Sequence, residues 1–86
     1  MTNQEIREIF DQAYNVFWMK WRDKPLLPEM DMWDLVLLDA GAIMERHNSE
    51  LCKSMVTALV VELDNRSKER EAKKAWLNTF MKLRTL

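Results

Sequence analysis

Apolar residues recur at steps of three and four from the start of the chain: Ile6, Ile9, Phe10, Ala13, Tyr14, Phe17, Trp18 and Trp21. That is the helical period. Thr2 and Glu5 have the spacing of a capping box, which places the helix start near Thr2. Pro25 disfavours helical geometry at Lys24 and has no N–H to donate, so the helix should fade at Arg22-Asp23. Asp23 to Pro28 then reads as a loop. A second helix is expected to begin between Glu29 and Asp31, with Asp31 as its N-cap, and to run to about His47. Asn48 suits a left-handed position after that helix and Ser49 the next N-cap, so a third helix follows from about Glu50 to Asp64.

Asn65-Arg66-Ser67 allows two readings. A stop and a new start give a fourth helix from Ser67 to about Arg84. Without a Gly or Pro to force a break, the third helix can equally continue. The polar triplet is read as a break. The expected fold is all-α, a compact bundle of three or four helices, with a long C-terminal helix as the variant.

Two helices carry more apolar surface than a surface helix needs. On a wheel, the apolar residues of the first spread over roughly 200°, against about 100° for an ordinary amphipathic stripe. Ile6, Ile9, Ala13 and Phe17 form its centre, Tyr14, Trp18 and Trp21 one flank, and Met19 falls outside. In the second, Trp33, Val36, Leu37, Ala40 and Met44 form one face, and Leu35, Leu38 and Ala42 lie nearly opposite. Either this helix is central and buried on both sides, or one of these surfaces meets another protein.

Composition agrees with helices. One Gly and two Pro in 86 residues leave little material for turns. A single Cys excludes an internal disulfide and fits a reducing compartment. No basic-then-apolar leader is visible at Met1-Thr2-Asn3-Gln4-Glu5, and the apolar runs (Leu35 to Leu38, Ala58 to Val61) are far shorter than a membrane span. The chain is read as cytoplasmic, without a membrane partner.

Charge changes the picture most. Residues 1–65 carry twelve acidic against six basic side chains, whereas residues 66–86 carry seven basic against two acidic. A net charge of −1 thus hides an acidic body of −6 and a basic end of +5. Such a split points to electrostatic recognition. As a helix, the basic end places Ala72, Ala75, Trp76, Thr79, Phe80 and Leu83 on one stripe. Arg66, Arg70, Lys73, Lys74 and Arg84 lie opposite, with Leu77 and Met81. This face is a solvated exterior, a contact for an acidic body or partner, or a phosphate-tracking surface. The acidic body argues against nucleic acid, and the helix after Asn48-Ser49 offers only Lys53 as a basic group for a groove. Glu69 and Glu71 argue against an anionic membrane.

Catalytic chemistry is not expected. His47 and Cys52 are the only residues of their types, and they read as a helix C-terminal residue and a core residue. Zinc needs four such ligands. The carboxylates Asp31, Asp34, Asp39, Glu45 and Glu50 do not converge by spacing, and no Glu-x-x-His pair occurs. One glycine, Gly41, cannot build a phosphate loop, and it is read as permitting close helix approach. No cofactor or metal is expected.

The function these features support is a non-enzymatic protein–protein interaction module. Its expected contact face is Tyr14, Trp18, Trp21 and Trp33, seconded by Arg66, Arg70, Lys73, Lys74 and Arg84. The partner is another protein or, most simply, a second copy in a homodimer. Two alternatives are an inhibitor of a host defence nuclease carried by a phage or mobile element, and a nucleic-acid accessory protein using the basic end.

Overall fold

A computed structural model describes residues 1–85, with side chains described through Lys82. Arg84, one of the basic residues named above, therefore has no described side chain. Among the described residues all regular structure is helical.

The first helix, α1, is continuous but changes its winding. Asn3–Phe10 is α-helical, Asp11–Trp18 is π-helical and Met19–Trp21 returns to α. The capping box forms at its start: Glu5 N–H donates to Thr2 Oγ1 at 3.1 Å, and Thr2 N–H to Glu5 Oε1 at 3.4 Å. Within the wide stretch the bonding reaches back five residues, as where Met19 N–H donates to the Tyr14 carbonyl. The sequence supplies a reason. Ile9, Ala13, Phe17 and Trp21 are spaced by four, and all four are buried. On a regular α-helix each such step drifts about 40° around the axis, so Trp21 would leave the face that Ile9 occupies. Wider turns remove the drift and keep the four side chains in one line.

A loop follows. Met30 N–H donates to the Leu27 carbonyl at 3.4 Å, with Pro28 and Glu29 between them. Glu29 has φ 66°, the left-handed region. Pro followed by a residue of positive φ is the pattern of a type II turn, where Gly is the usual occupant of Glu29's position. Leu26 plugs the core from this loop, fully buried.

The second helix, α2, spans Met32–Arg46. Asp31 does occupy its N-cap position, but with helical backbone angles and without a side-chain capping bond. Val36, Ala40 and Ile43 are buried, whereas Leu35, Leu37 and Leu38 are exposed, so α2 is not a central helix covered on both sides. Leu37 leaves the inner face it was assigned. Gly41 is exposed and a Cβ there would meet nothing within 4 Å, so close helix approach is not its role. His47 closes the helix, its N–H donating to the Ile43 carbonyl at 3.0 Å. Asn48 is not left-handed, Glu29 being the one non-glycine residue of positive φ among those described. Ser49 does cap the next helix, accepting from Cys52 N–H at 3.1 Å.

The third helix, α3, spans Glu50–Thr85 without interruption. The expected break at Asn65-Arg66-Ser67 is absent. Two acid-to-base pairs one turn apart bridge that segment: Glu62 with Arg66 at 3.3 Å and Asp64 with Lys68 at 2.9 Å. Acid placed N-terminal to base at this spacing favours helix. Ser67 is buried rather than a cap. At 36 residues α3 is about 54 Å long, far longer than α1 or α2.

The protein is therefore not compact. It measures 64 × 21 × 18 Å, with a radius of gyration of 16.9 Å. A compact chain of this length would have about 12 Å. The core comprises Ile9, Ala13, Phe17 and Trp21 from α1, Leu26 from the loop, Val36, Ala40 and Ile43 from α2, and Cys52, Val56 and Leu63 from α3. Every residue from 71 to 82 is exposed. The C-terminal third of α3 is an arm with no buried residue among those described, bordering the body only where Glu71, Lys74, Ala75 and Asn78 line a shallow pocket with Leu27 and Pro28.

Candidate interaction surface

Three of the four expected contact aromatics serve the fold. Trp21 is 2% exposed, and its indole N–H donates to Asp39 Oδ2 at 3.1 Å, a carboxylate that also takes Lys20 Nζ at 2.7 Å. Trp33 is half-buried and donates its indole N–H to the Leu27 carbonyl at 3.0 Å. Trp18 is half-buried beneath the Arg66 guanidinium, 4.7 Å from the ring centroid. These rings fix α1 and the loop to the body and are not open anchors. Tyr14 alone of the four stands exposed. The cause is the winding of α1, because a wheel drawn at 100° per residue places Trp21 beside Tyr14, and the π-helical turns rotate them apart.

The basic residues divide likewise. Arg66 is held by Glu62 and Trp18, and Arg70 Nη1 donates to the Leu26 carbonyl at 3.2 Å. Both guanidinium groups contact the protein's own body, and the Arg66 side chain stays 40% exposed. Lys73 and Lys74 lie exposed on the arm.

What remains open lies elsewhere. On the arm, Trp76 and Phe80 stack with ring centroids 5.4 Å apart and planes 10° from parallel. Trp76 is 64% exposed, and Leu77 and Met81 beside it are more than half exposed. Beside the body, α1 and α3 leave a groove of about 710 Å³. Ala13, Met55, Ala58 and Leu59 contribute to its lining, with Phe10 and Tyr14, and Arg7, Asp11 and Asn15 add polar groups. A third patch is the outer face of α2, where Leu38 is 69% exposed.

The sequence places Trp76 and Phe80 on an apolar stripe opposite the basic face and assigns neither them nor the groove residues Phe10, Met55 and Leu59 to the contact face. The missed signal was length: a helix of 36 residues cannot be covered by partners of 19 and 15.

Among the described residues no three His, Cys, Asp or Glu side chains are grouped to hold a metal ion. Cys52 is buried beside the Ile43 carbonyl, 3.8 Å from its Sγ, and burial pushes its thiol pKa up, away from the reactive thiolate. No described helix is long and apolar enough to cross a membrane. A comparison of the chain with protein-family models, curated proteins and solved structures finds no match to any of them.

Proposed function

We propose that the chain is a non-enzymatic protein-interaction module whose binding element is the exposed arm of α3, working with the groove between α1 and α3. One observation carries this reading. Twelve consecutive helical residues, 71–82, have no buried member, yet they hold Trp76, Leu77, Phe80 and Met81. An isolated helix of that length is marginal in water, and large apolar side chains on one are favoured contact anchors. The lysines among them give the contact a charge preference for acidic surfaces.

The test is site-specific photo-cross-linking in cells that make the protein. A photoreactive residue in place of Leu77 should trap a protein, either this chain or another. The same group in place of Asp34, exposed near the start of α2 and bordering Asp64 on the side of α3 away from the groove, should trap markedly less. Adducts only with nucleic acid, or equal yields at both positions, would sink the proposal.

A further inference from the structure

The arm and the groove lie on the same side of α3, and this side is complementary to itself when reversed. At 100° per residue, Met55, Ala58 and Leu59 fall within an arc of about 100°, and Trp76, Leu77 and Phe80 fall within the same arc. Between these apolar ends the arc holds four charged residues in the order Glu62, Arg66, Glu69, Lys73. Turned end for end about a point between Ser67 and Lys68, the stripe maps onto itself in chemistry. Met55 meets Phe80, Ala58 meets Leu77 and Leu59 meets Trp76, apolar against apolar. Glu62 meets Lys73 and Arg66 meets Glu69, acid against base.

We infer that the partner of this surface is a second copy of the same chain, its α3 lying antiparallel along the first. The inference deepens the interaction-module reading and rests on it. A twofold axis makes every pairing occur twice, so one stripe serves as both halves of the interface. The contact runs from residue 55 to residue 80, about 37 Å of helix. Each arm lies across the other protomer's groove beside Phe10 and Tyr14, the exposed rings on its α1 side. Burial of Trp76 and Phe80 supplies affinity, and the central charges fix direction. A parallel pair would place Glu62 beside Glu62 and Lys73 beside Lys73, like charge against like. Arg66 and Glu62 already pair within one chain at 3.3 Å, so dimerisation extends that pair into a four-residue network across the axis.

The register is tested by charge exchange on the full chain, with mass read by light scattering over a wide concentration range. The unaltered protein should dimerise. Glu62→Lys alone and Lys73→Glu alone should each weaken the dimer by more than about tenfold, because each creates two repulsive pairs. The double variant Glu62→Lys/Lys73→Glu should recover affinity, since each new charge again faces its opposite. Trp76→Ser/Phe80→Ser should be monomeric with helical circular dichroism retained, both residues lying outside the core. Failure of the double variant to recover overturns this register. A chain monomeric at every concentration overturns self-pairing, and a Leu77 cross-link to a different protein would then leave the interaction-module reading standing. A Leu77 cross-link to neither would remove both.

Discussion

Arg70 Nη1 donates a 3.2 Å hydrogen bond to the Leu26 carbonyl oxygen, joining positions 44 residues apart in sequence. Past it every described side chain of α3 is exposed, Glu71, Lys74, Ala75 and Asn78 doing no more than border Leu27 and Pro28 across a shallow pocket. The body should therefore not need the arm. A chain ending at Ala72, compared with the full chain at low protein concentration, should unfold in urea within about 0.5 kcal/mol of it. Arg70→Met should instead cost about 1 kcal/mol, because the Leu26 carbonyl loses a charged donor. A large loss on truncation would show that the arm folds back on the body.

Two positions have their residues the wrong way round for the backbone. Glu29 is left-handed, which costs a side-chain-bearing residue roughly 1 kcal/mol, and Gly41 sits in an exposed helix interior with open space for a methyl group. Glu29→Gly should stabilise by about 0.5 kcal/mol after the larger unfolded-state entropy of Gly is counted. Gly41→Ala should stabilise by about 1 kcal/mol. Thermal unfolding of the two single variants checks both, and a fall in midpoint for either refutes its assignment.

Cys52 gives the pH dependence that the described residues support. Its thiol pKa is raised by burial, so above the ordinary thiol pKa the unfolded chain loses a proton that the folded protein keeps. The unfolded state is then favoured. Stability contributed by this group is intact below the unfolded pKa and declines as pH rises towards the folded one. Urea midpoints should fall between about pH 7 and about pH 10 by more in the natural chain than in Cys52→Val. A thiol reagent should label Cys52 only as fast as the protein opens.

Several local rules were legible in the sequence, although Asp31 makes no capping bond and Asn48 is not left-handed. The Thr2–Glu5 box, the Ser49 cap and the end of α1 before Pro25 depend on neighbours within four residues, and each stands where expected. The arm was legible only as one of two readings, because a helix without Gly or Pro can stop or continue. The pairs Glu62–Arg66 and Asp64–Lys68 tip that balance. The contact aromatics were not legible. Whether a Trp is core or surface depends on partners such as Asp39 and the Leu27 carbonyl, which no spacing along α1 or α2 announces. Of the two apolar surfaces offered for contact, the Leu35/Leu38/Ala42 face is exposed, whereas on the aromatic flank Trp21 is buried and Trp18 half-buried.

The π-helical turns of α1 act as a vernier holding one residue of slack. Take away Asn15, and the buried series at residues 9, 13, 17 and 21 is spaced four, three and four instead of four, four and four. That is the spacing an ordinary α-helix keeps on one face. Asn15 is exposed and its side chain bonds to Asp11 in the same helix, so its removal leaves the core in place and alters the winding and the rim of the groove. The shortened chain should fold around the same core, with α1 regular throughout. Removing Leu38 from α2, where there is no such slack, should instead swing Ala40 and Ile43 about 100° off the core. The wide turns thus make one stretch of the protein tolerant of a change in length that its neighbouring helix cannot absorb.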